Sequence, residues 1–392
     1  MKKIYSCAIF FFSLIMVLSA NQVVVKKQAE MSNPKLLYKG ITGDSAFNKN
    51  MLSNLQKCGW FDVVTTGSSK YEISGTVSND VLNIEVSGAS KFRLSEKLSN
   101  NRQIESYKIT DEILNKIFGI NGICFSKIAF VAQKGKIKEI MTANFDGTDL
   151  NQITRSGTLS LGPKWGPGNK TLIYTSFYKN YMDVMAYSFA SGKIMQLSKF
   201  PGMNTGVISP NGKYVALILS KDKQVDLYLK NLSDGKLIRI TNDEAVEGTP
   251  CWSPNSKEIC FVSDKNYKTP RLFICNLSNK KTTYLNTAGG ESVDPSWSPD
   301  GKKIAYSLKV AGKYTIAVYD IASDKTEYVP NLSYGSDWLT SSWSPDNRHV
   351  VCSRRTGFKN ELYIVDTWLG NTRALFNSGM DLSSPGWSYL FK

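Results

Sequence analysis

The sequence predicts a mainly β protein: a six-bladed β-propeller preceded by a small α+β domain. Three observations carry that reading. A W-S-P-[DN]-G-K motif recurs through the last two thirds of the chain at intervals of about 43–46 residues, the length of one four-stranded blade. Between its copies, short β-rich runs alternate with Pro, Asn, Asp and Gly turns. The first third lacks the motif and mixes β-runs with two helical periodicities. The composition agrees: of 392 residues 42% are hydrophobic and 21% charged, which excludes collagen-like, disordered and multi-span membrane classes.

Residues 1–20 read as a secretory signal peptide. Lys2 and Lys3 form a positive head, residues 4–18 are almost wholly apolar, and Ser19 and Ala20 supply small residues for cleavage. The alternative is an uncleaved N-terminal anchor. Cys7 lies inside the apolar run and no cysteine stands directly after Ala20, so a lipid anchor there is not expected. No other long apolar run exists, so the mature chain is expected to be peripheral rather than membrane-spanning.

Residues 21–122 form the α+β domain. A strand is expected over 35–39. Asp44 and Ser45 open a helix whose apolar face is Phe47, Met51, Leu55 and Cys58, with Gly59 as its stop. Strands follow near 60–64, 71–77, 81–86 and 91–94. Residues 95–102 read as a loop, and a second helix spans 110–118, capped by Thr110 and stopped at Gly119.

Residues 123–392 form the propeller. The motif copies are WGPGNK at 165–170, ISPNGK at 208–213, WSPNSK at 252–257, WSPDGK at 297–302 and WSPDNR at 343–348, with a truncated copy at Trp387 and Ser388. The run beginning at Lys127 has no anchor before it, and Trp387 has no run after it. The two halves complete each other if the C-terminal strand pairs with the first blade, which removes both open edges. A tryptophan repeating once per blade is expected to pack between blades.

No G-x-S-x-G, P-loop or dinucleotide-binding motif is present, and the single histidine, His349, starts a blade strand. A satisfied or surface histidine is the expectation, with no catalytic residue, no cofactor and no metal. Six cysteines follow the leader, with no zinc-like spacing. They read as small buried hydrophobes, or as one bridge joining Cys260 to Cys275 across a hairpin.

The formal charge of +15 suits an anionic partner in general. Three residues before the anchors stand Gly162, Thr205, Thr249, Asp294, Thr340 and Ser384, a ring of short side chains expected at one channel mouth; turn chemistry would also select these residue types. The loops feeding the first strands carry Asp243, Glu244, Glu247, Glu291, Asp294, Asp337 and Asp381, whereas the anchor turns carry Lys170, Lys213, Lys257, Lys302 and Arg348. An acidic, partner-binding mouth is therefore expected opposite a basic face on which the N-terminal domain docks.

The joint DEILNKIFGI at 111–120 with NGICFSKIAFVAQ at 121–133, and the ending SPGWSYL at 384–390, together with the repeat, resemble the TolB family of periplasmic propellers of the Gram-negative Tol–Pal envelope system. The resemblance covers nearly the whole mature chain and implies a non-enzymatic, monomeric scaffold serving outer-membrane integrity and cell division. It implies the peptidoglycan-associated lipoprotein as partner, with no nucleic acid, and TolA as a second partner through the mature N-terminus. Family positions that contact the lipoprotein match Met203, Gly206 and Thr249. Three departures stand out: the N-terminal domain is shorter than usual for the family, residues 21–27 are brief and do not look like the family's TolA-binding extension, and Met203 replaces the family's usual His. The alternatives are the propeller domain of a hydrolase or peptidase, and a small-molecule-binding channel.

Overall fold

The computed structural model describes residues 32–391 apart from 179–180, 203, 222, 266–267, 334 and 377–378. The expected signal peptide and the candidate docking residue Met203 lie outside the described residues.

The α+β region runs β1 (Lys35–Thr42), α1 (Ser45–Lys57), β2 (Asp62–Val64), β3 (Tyr71–Ser78), β4 (Val81–Gly88), β5 (Phe92–Lys97) and α2 (Arg102–Phe118). The sheet order is β2-β1-β3-β4-β5, parallel where β1 meets β2 and β3 and antiparallel beyond. The Asp44 carboxylate caps α1 by accepting from the Phe47 N–H at 2.9 Å. Cys58 closes its last turn and Gly59 then takes φ 75°, a conformation suited to glycine. Asn79 and Asp80, both at positive φ, form the tight β3–β4 hairpin turn.

The second helix starts eight residues earlier than expected. Asn101, not Thr110, is its cap, accepting from Ile104 N–H at 3.1 Å. Thr110 is buried mid-helix and donates its hydroxyl to the Ser106 carbonyl at 2.7 Å. The longer helix exists because Tyr107, Ile113 and Leu114 all bury one face, and β5 takes up residues expected as loop. Packing overrides the weak local helix signal of 102–109.

Six four-stranded sheets follow. In blade I the last strand of the chain, Asp381–Trp387, pairs antiparallel with Lys127–Lys134, placing Trp387 opposite Ile128. The ring therefore closes as expected. The innermost strands of blades II to VI are Ser160–Trp165, Thr205–Ile208, Glu247–Trp252, Ser292–Trp297 and Asp337–Trp343.

The motif's residue types follow from its turn. Ser298 Oγ donates to Asp300 Oδ1 at 2.7 Å and accepts from Lys303 N at 2.9 Å, while Asp300 Oδ1 also accepts from Lys302 N at 3.0 Å. Ser253 with Asn255 and Ser209 with Asn211 repeat the pattern. The indoles of Trp165, Trp252 and Trp343 donate to Gly386, Val207 and Ser296 carbonyls of the preceding blades, each at 3.0 Å. They tie neighbouring blades together, as their repetition implies.

The α+β region rests on the anchor-turn face, and its hydrophobic core continues into the propeller through Ile123, Ile128, Phe130, Phe145 and Trp387. At the junction Trp60 Nε1 donates to Asp346 at 2.9 Å. The Arg348 guanidinium lies between the Trp60 and Trp368 rings, 4.7 and 4.9 Å from their centroids. It bonds Asp366 at 2.5 Å and Asn33 at 2.7 Å. Arg348 thus belongs to a buried junction, not to an exposed basic surface.

His349 is buried beside it. Its Nδ1 meets Asp346 Oδ2 at 2.6 Å, and a Cβ placed on Gly59 would fall 2.4 Å from its Nε2. Although burial alone would raise the Asp346 carboxyl, His349 and neighbouring hydrogen bonds hold it well below the usual carboxylate range.

All six described cysteines are unbridged. Cys260 faces Ile274 and Cys275 faces Ile259 across adjacent strands. The offset of one residue turns the two thiols to opposite faces of the sheet, so the bridge expected from their spacing does not form. Among the described residues no helix is long and apolar enough to cross a membrane.

Candidate docking mouth of the propeller

Strand polarity defines two faces. In each blade the anchor turn and the turn between the third and fourth strands lie on the face that carries the α+β region. The second-to-third-strand hairpins and the loops feeding the innermost strands lie on the other face, which is free of that region.

The ring of residues three before each anchor has an unusual backbone. Gly162, Thr249, Asp294, Thr340 and Ser384 take φ values of 57°, 32°, 53°, 54° and 52°. Each falls where the innermost strand slips register against its neighbour. A β-bulge with a left-handed residue therefore recurs in five blades. For threonine this conformation is strained, and such strain concentrates at functional positions.

Blade III differs. Thr205, Gly206, Val207 and Ile208 pair in unbroken register with Ile218, Leu217, Ala216 and Val215. A Cβ on Gly206 would meet Leu217 Cδ2 at 2.7 Å and the Ala216 carbonyl at 3.1 Å, so a larger residue there would have to displace the Leu217 side chain.

The bulges are linked sideways. The Asp294 carboxylate accepts from the Thr340 backbone; burial raises its pKa, opposed by Lys164 and by that hydrogen bond. Thr340 Oγ1 lies 2.9 Å from Ser353 Oγ, which accepts from Ser384 N at 3.0 Å. Thr249 is exposed, whereas Thr205, Asp294, Thr340 and Ser384 are half-buried.

Glu247 is not a surface charge. It is 3% exposed, accepts from Ser263 Oγ at 3.3 Å, and its carboxyl is pushed up to about 8 by burial and by Asp243 and Asp226. It is buried while Thr249, two residues on, is exposed, because the bulge at Thr249 breaks the strand's alternation.

The expected acidic mouth is largely neutralised. Lys265 pairs with Asp243 at 2.9 Å and Lys309 with Glu291 at 3.0 Å. Asp337 meets Arg355 at 3.2 Å and Lys313 at 3.4 Å, and Asp381 accepts from Asn360 N at 2.9 Å. The cations stand on the second-to-third-strand hairpins, which end on the same face as the acidic loops. Counting the loops alone misassigns the charge.

The same hairpins present apolar side chains that the sequence reading missed. Phe177, Tyr181, Val310 and Ile137 are exposed and Phe358 is fully so, while Val246 and Met380 are exposed in the loops feeding two innermost strands. The signal was available: each of the first five flanks a hairpin turn where a polar residue would ordinarily stand. Leu150, Phe189, Ile194 and Met195 are exposed too, towards the other face of blades I and II, but the groups on the free face stand around the channel mouth, where exposed apolar side chains mark an interaction surface.

Behind the ring, the central channel holds about 350 Å³, lined by Trp165, Trp252, Trp297, Trp343 and Trp387 with Lys164, Cys251 and Tyr389. Among the described residues no three His, Cys, Asp or Glu side chains are placed to hold a metal ion.

A model of the TolB beta propeller domain matches residues 114–391. The Tol-Pal system protein TolB of Francisella tularensis subsp. tularensis (strain WY96-3418) is 30% identical over 146 residues, covering 35% of this chain and 34% of the relative. That of Francisella tularensis subsp. mediasiatica (strain FSC147) matches over the same shares at the same identity. The chain thus spans about a third of the length of the curated relatives it matches. The crystal structure of TolB from Acinetobacter baumannii superposes with a TM-score of 0.81 at 21% identity, covering 91% of this chain and 97% of that one. That likeness extends the shared fold across the α+β region. With most of its length matched by the propeller model, the chain belongs to the TolB β-propeller family.

Proposed function

We propose that this protein is a non-enzymatic, periplasmic scaffold of the Tol–Pal system. It docks the peptidoglycan-associated lipoprotein at the free mouth of the propeller and so supports outer-membrane integrity and cell division. The observation that carries the reading is the recurrence of left-handed bulges at Gly162, Thr249, Asp294, Thr340 and Ser384, strained at the two threonines, four of which hold short polar groups around a mouth rimmed by Phe177, Tyr181, Val310 and Phe358. Thr205 completes the ring without the strain. A rigid polar centre with an apolar rim suits a preformed protein-binding surface, since little ordering is needed on association. His349 is locked in the junction on the opposite face, which supports a binding role over a hydrolytic one.

The experiment is photocrosslinking in the bacterial envelope from a photoreactive residue at position 249, followed by identification of the attached protein. Capture of the lipoprotein supports the reading. Capture from position 213, on the opposite face, with none from 249 would overturn it.

A further inference from the structure

Two thiols face each other beside the channel. Cys251 and Cys260 are direct register partners on the first and second strands of blade IV, so both side chains lie on one face of the sheet. Ser253 N–H donates to the Glu258 carbonyl at 2.9 Å, and hydrogen-bonded pairs recur at every second position, which makes Cys251 and Cys260 such a pair. Partners of this type have Cα atoms about 5.5 Å apart, within the roughly 4.4–6.8 Å that a disulfide spans. Their Cβ atoms lie towards the long end of about 4.5–5.5 Å, against about 3.5–4.5 Å in a relaxed bridge, so closing the bond draws the two strands together and leaves it strained and readily reduced. Cys260 is fully buried against blade V, packed in one cluster with Trp297, whereas Cys251 is half-buried and lines the channel. The remaining described cysteines, Cys58, Cys124, Cys275 and Cys352, are all buried.

We propose that Cys251 and Cys260 form a reversible cross-strand disulfide by exchange with a small disulfide donor admitted through the central channel. Cys251, the thiol that the channel reaches, attacks the donor as its thiolate. The donor's sulfur–sulfur bond breaks, a mixed disulfide forms on Cys251, and one donor thiolate leaves and takes up a proton. Cys260 then gives its proton to solvent and attacks Cys251 Sγ, releasing the second donor thiol. The protein loses two hydrogens with two electrons, and the donor is reduced to two thiols. Burial raises the Cys260 thiol well above its ordinary value, which makes its step the slow one. The bond ties the innermost strand, Glu247–Trp252, which carries Thr249, to the strand behind it. This inference is independent of the docking reading.

The test treats the native full chain with bis(2-hydroxyethyl) disulfide, then measures intact mass and maps peptides without reduction. The expected product is lighter by two hydrogens, contains a linked Cys251–Cys260 peptide, and reverts with dithiothreitol. Cys275→Ser should give the same product, and Cys251→Ser should not. A stable adduct on Cys251 with no linked peptide, a link through any other cysteine, or no reaction would each overturn the proposal. The native-chain map and Cys275→Ser decide the matter even where Cys251→Ser does not fold.

Discussion

The indole N–H of Trp165 donates to the carbonyl of Gly386 at 3.0 Å, joining residues 221 positions apart in the chain. That bond fastens the first complete blade to the strand that closes the ring. Trp387 extends the same seam, with its indole on Ser126 Oγ at 2.8 Å and its backbone N–H on Ser342 Oγ at 2.9 Å. Replacing Trp387 with Ala removes both the indole bond and a large buried ring, so a loss of about 3–5 kcal/mol is expected. Urea unfolding measures it. An unchanged midpoint would contradict closure through this strand.

Arg348 and Asp366 are both almost fully buried, 2.5 Å apart. Removing only the cation leaves a buried carboxylate without its partner, a change that costs about 3–5 kcal/mol. Arg348→Met should therefore destabilise strongly, and Arg348→Met with Asp366→Asn should recover part of the loss. His349→Gln should also destabilise, because the imidazole partners Asp346 and packs on Gly59. Comparing unfolding midpoints of the single and double variants checks the coupling; simple additivity would contradict it.

Much of this architecture was legible in the repeat, because each motif residue answers a local demand. Ser and Asx close the turn, Gly, Asn or Ser takes the left-handed position, and three of the anchor tryptophans bond the preceding blade. Ring closure was legible for the same reason: Trp387 is an anchor without a blade. The second helix was misread at its start because Asn101 and Thr110 are both capping residue types, and only the buried face of Tyr107 decides between them. Register between strands is a tertiary property. It sets Cys251, not Cys275, opposite Cys260 and turns Glu247 inward, and hairpin spacing encodes neither. The mouth's charge was misassigned because Lys265, Lys309 and Lys313 reach the acidic loops only once the strands are folded into blades.

Glu247 gives a pH signature. Its carboxyl is raised from 4.5 to about 8 in the folded protein. The folded state thus holds a proton that the unfolded state has released between those values. This contribution to stability is fully present below about 4.5 and is lost as pH rises through about 8. Glu247→Gln cannot ionise, so it should flatten the fall in stability across that window, a difference on the order of a few kcal/mol. Thermal melts of both proteins from pH 5 to 9 measure it. Parallel curves would show that Glu247 is ionised when folded.

The mouth should separate stability from docking. Thr340 holds φ 54°, a conformation costing a β-branched residue on the order of 1–3 kcal/mol. Glycine adopts it without that strain, although it loses more freedom on folding, so Thr340→Gly should leave the melting temperature unchanged or higher. It also removes the hydroxyl beside Ser353, so lipoprotein capture should weaken. Phe358 is fully exposed and contributes nothing to the core, so Phe358→Ser should leave melting unchanged. As an apolar rim residue it should still matter to the complex, raising the dissociation constant about five- to thirty-fold if it loses 1–2 kcal/mol of contact. Lys213→Glu, on the anchor-turn face, is the matched control. Stabilised Thr340→Gly with undiminished capture would mean that the strain serves only the bulge. Loss of capture in Lys213→Glu but not in Phe358→Ser would move the docking surface to the other face.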